Sequence, residues 1–185
     1  DPKWRDAFTA VLDVYLGENI TEFNYEGKKY TPLQFAEMVK INPNDYINIT
    51  SFTQAPYYTN FILNIPDNFS NGSFYNVPIN DLVEIIDHAL ANGYTAEIDC
   101  DVSEKTFSAK DGIAVIPANK LNNLKALHSI YPEMDVTQEY RQQEFENFKT
   151  TDDHLMHITG SVKDQKGNKY YKVKNSWGTD EKRTK

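Results

Sequence analysis

Two residues near the end of the sequence have the types and spacing to share a proton: His154 in "DHLMHITG" (153–160) and Asn175 in "KVKNSWGTD" (172–180). A histidine working as a general base needs a partner that fixes its tautomer and ring angle. An amide oxygen accepts the imidazole N–H without adding a buried charge. Neutral Asn therefore suits a thiolate–imidazolium pair, in which the negative charge already sits on sulfur. Trp177 follows two residues later, where an indole would shield that hydrogen bond from water, and Gly178 lets the chain turn away. Taken alone, a histidine on an apolar strand face is more often a satisfied core residue than a base. A tryptophan there more often closes a hydrophobic cluster.

The elements that must hold this pair are legible as a hairpin. "HLMHITGSV" (154–162) and "NKYYKVKN" (168–175) read as strands around the turn "DQKG" (164–167). On the second strand Tyr171, Val173 and Asn175 share a face, and Lys172 and Lys174 share the other. On the first, His154 goes with Met156 and Ile158, which puts His157 on the opposite face. His154 and Asn175 are thus expected at the open end of the hairpin, both pointing inward. "YTAEIDCDV" (94–102) alternates as a further strand.

Upstream, Asp1 and Pro2 read as N-cap and first position of a helix carrying Trp4, Phe8, Val11, Leu12 and Tyr15, stopped by Gly17. Phe23, Tyr25 and Tyr30 flank a turn at Gly27. Thr31-Pro32-Leu33-Gln34 reads as a capping box opening a helix to Lys40. Residues 42–78 are rich in Pro and Asn, with "TNFILNI" (59–65) the best strand there. Asn80 is expected to cap an amphipathic helix with Leu82, Ile85, Ile86, Ala89 and Leu90 inward, ended by Gly93. Two more helices are expected over 117–129 and 137–149, the second opening on Thr137 and burying Tyr140, Phe145 and Phe148. His88 and His128 fall in helical segments and are expected to be solvated.

The bulk numbers bound the function. With 185 residues, 12 Tyr, 10 Phe and 2 Trp, the chain has material for a folded core. The net charge is −8 and no dense basic run occurs, which disfavours nucleic acid as a partner. No run of about 18 apolar residues is present, so no membrane-spanning helix is expected. No signal peptide is visible at residue 1. Cys100 is the single cysteine, so no internal disulfide forms, and no Cys/His cluster has zinc spacing. The sequence opens without Met inside a helical pattern, which leads us to expect that the parent protein begins upstream.

Several separated segments resemble one family. "SFTQAPYYTNFILNIPDN" (51–68), "YNVPINDLVEIIDHALANGYTAEIDCDVSE" (75–104), "TTDDHLMHITG" (150–160) and "NSWG" (175–178) occur in the order of the papain-like cysteine peptidases. The nearer resemblance is to the bleomycin hydrolase and aminopeptidase C branch, and it covers essentially the whole chain. It implies that His154, directly after Asp153, is the catalytic histidine, that Asn175 orients it and that Trp177 covers the pair. It implies peptide substrates, no metal, no organic cofactor, a hexameric ring as a possible assembly, and the cytoplasm as the usual compartment. Export is the alternative if a missing N-terminal part carries a signal.

The departures are as informative. The family's nucleophile lies in a glutamine-glycine-x-cysteine-tryptophan segment opening a long helix, roughly 130–150 residues before the histidine. Nothing in this sequence matches that segment, and the oxyanion-hole glutamine is absent with it. Cys100 sits in "EIDCDVSE", on a strand, flanked by Asp99 and Asp101, which would raise its pKa. It reads as structural. After "NSWG", the family's next strand is replaced by "TDEKRTK" (179–185).

The expected fold is therefore α+β, a partial papain-like domain. Residues 1–50 are mainly helical, 51–78 form a loop-rich connection, and 79–185 hold a helix and the antiparallel sheet bearing the His/Asn hairpin. The expected function is that of a cysteine-type peptidase of aminopeptidase character, with a chain inactive by itself because its nucleophile lies elsewhere. A catalytically inactive binding or assembly module is the alternative. A third reading makes Tyr57, Tyr58 and Phe61 of "PYYTNF" a sugar-stacking platform.

Overall fold

A computed structural model describes residues 3–178. The expected cap at Asp1-Pro2 and the segment "TDEKRTK" lie outside the described residues. The chain divides into two compact units, Asp1–Ile47 and Asn48–Lys185.

In the first unit, α1 (Lys3–Leu16) is followed by a hairpin of β1 (Phe23–Tyr25) and β2 (Lys28–Tyr30), then by α2 (Pro32–Met38). The capping box at Thr31 is present in both directions. Thr31 Oγ1 accepts from Gln34 N–H, and Gln34 Oε1 accepts from Thr31 N–H. Phe35 is the hub of this unit. The rings of Phe23, Tyr25 and Tyr30 sit edge-on to it at 5.2, 5.1 and 5.8 Å. The apolar stripe of α1 is not buried: Trp4 and Phe8 are exposed, and so are Val11, Leu12 and Tyr15.

The second unit holds the remaining elements. A single 3₁₀ turn, Pro66–Asn68, separates β4 (Thr59–Ile62) from β5 (Ser73–Asn76), and β3 (Ile49–Thr50) precedes both. These three form a sheet in the order β3-β5-β4, with β3 parallel and β4 antiparallel to β5. The stretch expected to be a loop-rich connection thus contains paired strands, although only "TNFI" of the expected strand is extended.

Helix α3 (Ile79–Ala91) ends as expected, with Gly93 in the left-handed region. Its start is corrected. Asn80 lies inside the helix, Pro78 is the N-cap position, and no local side chain caps it. The cap comes from far away: Gln138 Oε1 accepts from Ile79 N–H at 2.8 Å.

A second sheet follows, built from β6 (Ala96–Cys100) and two later strands. Between them lie the short pair β7 (Phe107–Ser108) and β8 (Ile113–Ala114), α4 (Asn123–Ala126) and α5 (Gln138–Glu146). The helix expected over 117–129 is reduced to a 3₁₀ turn at Lys120–Asn122 and the single turn of α4. Thr137 caps α5 through Tyr140 N–H, but Phe148 lies beyond the helix and is exposed, not buried. The sheet is completed by β9 (His154–Lys163) and β10 (Lys169–Lys174), in the order β10-β9-β6, all antiparallel.

The core draws on residues in and beside both sheets. Phe52, Leu63, Val77, Met156 and Ile158 are buried. Its polar centre is Asn76, fully buried at the end of β5. Asn76 Oδ1 accepts from Phe52 N–H at 2.8 Å, and its Nδ2 donates to the carbonyls of Phe52 and Ala55 at 2.8 and 2.9 Å. One amide thus satisfies the backbone of the irregular "SFTQAP" segment, which has no sheet partner of its own. Helix α5 grips the same segment. Arg141 Nε donates to Ser51 O, its guanidinium lies 4.6 Å above the Phe52 ring, and Gln142 Oε1 accepts from Thr53 N–H.

Replacing Asn76 by Ala strands a buried N–H and two carbonyls, each costing about 1–3 kcal/mol when unpaired. Asn76→Ala is expected to lower stability by about 3 kcal/mol or more, read as a fall in the urea midpoint at unchanged slope.

Candidate active site

Strand β9 is the central strand of its sheet, so each edge is hydrogen-bonded. Its alternation follows the apolar pattern: Met156 and Ile158 are buried, while Leu155 and His157 are exposed. His154 shares the inward face and is half-buried at the strand's start. The segment before it is tied down by carboxylates. Asp101 accepts from Thr151 N–H at 2.9 Å, and the Thr151 hydroxyl donates to Asp153. Asp153 is exposed and serves this approach turn; no bond to the imidazole is formed.

Asn175 follows the last residue of β10, half-buried beside His154. Its Oδ1 lies 2.8 Å from His154 Nε2 and 2.7 Å from Ser176 N. A backbone N–H can only donate, so the amide atom facing it is the oxygen. That orientation in turn makes His154 Nε2 the protonated nitrogen and leaves Nδ1 as the free, basic one. Trp177 lies against the imidazole, with ring centroids 4.9 Å apart and planes inclined by 32°. Phe107 meets the outer side of the indole edge-on at 6.0 Å. The indole remains 40% exposed, so it roofs one side of the pair and leaves another open. Gly178 has φ of +77°, a turn that a side chain at this position would strain.

The hairpin contains a feature that alternation alone did not reveal. Lys172 pairs with Gly160 and Val173 with Ile158, so Thr159 is skipped. This is a β-bulge. The Thr159 hydroxyl donates to Lys172 O at 3.2 Å and closes it.

Sequence distance also concealed a neighbour. Cys100 is the register partner of His154 across β6 and β9. Directly opposed residues in an antiparallel pair share a face. Its thiol is nevertheless poorly suited to attack: burial pushes it up, and Asp99, Asp101 and Asp153 push it further in the same direction.

The acidic surroundings are divided. Burial raises the Asp99 carboxyl, helped by Asp67, Asp153 and Glu97. Burial likewise raises Asp152, helped by Asp67 and Asp99, and one of its carboxylate oxygens is buried without a hydrogen-bond partner. Burial also pushes on Asp101, but hydrogen bonds from Ser103 and Thr151 outweigh it and hold that carboxyl low. Among the described residues, no group of three His, Cys, Asp or Glu side chains is placed to hold a metal ion. No helix among them is long and apolar enough to cross a membrane. Tyr57, Tyr58 and Phe61 do not form one platform: Tyr58 is exposed and bonded to Asp81, whereas Phe61 packs edge-on against Phe52.

Three comparisons with known proteins bear on this geometry. The model of the Peptidase C1-like family matches residues 18–184. The crystal structure of PepW from Lactobacillus rhamnosis HN001 (DR20) matches with a TM-score of 0.68 at 19% identity. The match covers 95% of this chain and 41% of that one, so the likeness is one of fold and the chain spans less than half of PepW. No curated protein matches the sequence.

Two outcomes follow from the raised thiol of Cys100 and the raised carboxyl of Asp152. Native Cys100 is expected to react with iodoacetamide at least about tenfold more slowly than the urea-unfolded chain at pH 8, because only the thiolate attacks. A raised carboxyl favours the folded state below the ordinary carboxylate range, and that contribution is lost as pH rises through its own pKa. Asp152→Asn is therefore expected to stabilise the protein at pH 7, by less than about 1 kcal/mol because the group is partly solvated. At pH 3 it is expected to change nothing. Thermal unfolding at the two pH values reads both.

Proposed function

Because the chain belongs to the Peptidase C1-like family, whose fold is that of the papain-like cysteine peptidases, we propose that it carries the base half of a Cys-His-Asn peptidase site. The observation that supports this is the bond between His154 Nε2 and Asn175 Oδ1, roofed by Trp177. That bond leaves Nδ1 free to take a proton from a thiol.

The cysteine belongs, on this reading, to a segment of the parent protein outside this chain. Its proton passes to His154 Nδ1 as sulfur bonds to the scissile carbonyl carbon. The C–N bond then breaks, and the imidazolium returns the proton to the departing amine. Water, deprotonated by the same nitrogen, attacks the thioester and frees the thiol. Asn175 holds the ring throughout and takes up no proton, since an amide oxygen stabilises the imidazolium without titrating. The resemblance to aminopeptidase C and bleomycin hydrolase supports action at a free peptide end, a hexameric assembly and a cytoplasmic location as further parts of the proposal.

The second reading, an inactive binding or assembly module, is favoured by one observation: Cys100, the single thiol of this chain, is held protonated by its surroundings.

Intact mass spectrometry of the parent protein, before and after a cysteine-directed epoxide inhibitor, separates the two. A single adduct on a cysteine other than Cys100, lost in His154→Ala, is expected. No adduct, with no peptide turnover, would make the module the better description. Asn175→Ala is expected to lower kcat/KM by about ten- to a hundredfold through a mobile imidazole, with the pH profile altered as well. A merely structural loss would leave that profile's shape intact.

A further inference from the structure

A groove of about 270 Å³ opens in the second unit beside the roof of the histidine. Its apolar surface comes from Phe107, Ile116, Met134 and Val136. The walls are two segments running side by side, joined where Met134 N–H donates to Ile116 O at 2.7 Å and Ala118 N–H to Pro132 O at 2.9 Å. Three acidic residues, Asp101, Glu104 and Glu133, complete the lining, and no Lys, Arg or His shares it.

Two of these acids have identifiable neighbours. Hydrogen bonds from Ser103 and Thr151 keep Asp101 ionised against its partial burial. Glu133 stands beside Tyr170 and drives that phenol up to about 12. An apolar trough with an anionic lining matches one kind of side chain: an aliphatic stem ending in a cation, which buries its methylenes and presents its charge at the rim.

The groove's position says which part of a peptide would reach it. Phe107 both lines the groove and packs on Trp177, and Trp177 packs on His154. The histidine must hand its proton to the departing amine, so the residues C-terminal to the scissile bond leave across the imidazole. The groove is linked to the imidazole through this line of rings, Trp177 first and then Phe107.

We propose that this groove is a specificity subsite for the leaving-group side of the substrate, and that it selects peptides carrying lysine or arginine there. The stem lies along Phe107, Ile116 and Met134, and the cation meets Asp101, Glu104 and Glu133. This rests on the peptidase reading given above and adds to it a substrate class.

The test uses the complete parent protein and a set of fluorogenic peptides. They share one acyl side and carry Lys, Leu or Glu at the first two leaving-side positions. The expected order of kcat/KM is Lys above Leu above Glu, with Lys over Glu by about tenfold or more at low salt and less at high salt. In the double variant Glu104→Gln, Glu133→Gln the Lys-to-Glu ratio falls toward one. Equal rates on all three peptides, or a ratio indifferent to the double substitution, would overturn the proposal while leaving the peptidase reading intact. If none of the peptides is cleaved, the peptidase reading fails and calorimetric titration of the same peptides decides the groove. Tighter Lys-peptide binding that the double variant loses supports it. Equal binding of Lys and Glu peptides overturns it.

Discussion

Strand β9 has a hydrogen-bonded neighbour on both edges, and the rest of the second unit depends on that double pairing. A strand held on one edge can slip by a residue and turn its whole side-chain set to the other face. Here β6 fixes the register from one side and β10 from the other. Met156 and Ile158 then have no choice but the core, and His154 is carried to the same face at the strand's end. The imidazole is therefore placed by backbone pairing. Its ring angle is a separate matter, set by one amide and one indole.

The two structural amides, Asn76 and Asn175, play different parts. Asn76 serves the scaffold: its amide replaces strand partners for a segment that has none. Asn175 serves the site: its oxygen accepts two N–H groups, so its orientation is determined by the backbone before the histidine is considered. Helix α5 ties the segment around Phe52 to α3. Gln138 caps α3 from a distance and Arg141 stacks on Phe52, so the helix is held by polar contacts more than by an apolar face.

What the sequence disclosed was local or periodic. The capping box at Thr31–Gln34, the strands at 154–162 and 168–175, and the opposed faces of His154 and His157 all follow from spacing over a few residues. What it concealed involved partners far apart in the chain. Nothing near Asn80 or Pro78 announces that Gln138 caps α3. Nothing near Cys100 announces His154 as its register partner, since β-pairing is sequence-remote. The α1 stripe from Trp4 to Tyr15 was legible as a pattern, but a pattern states that a face is apolar and not that this unit covers it. The helix expected over 117–129 is cut to a 3₁₀ turn and one helical turn: Ala118 N–H pairs with Pro132 O and holds its start extended, and Leu121 and Leu124 stay exposed.

The bulge at Thr159 has a consequence for how this hairpin can vary in evolution. Pairs on the turn side of the bulge and pairs on the histidine side obey opposite parity, and the skipped residue reconciles them. Losing one codon from the paired residues between Thr159 and Asn175, outside the turn, would leave a hairpin with sound hydrogen bonds and the amide on the wrong side of the sheet. Losing two would restore the face but shorten the reach. Length in this segment is therefore quantised by the site, whereas most of its exposed side chains are free to drift. Related chains are expected to differ in these two strands by substitution and to be nearly intolerant there of insertion or deletion.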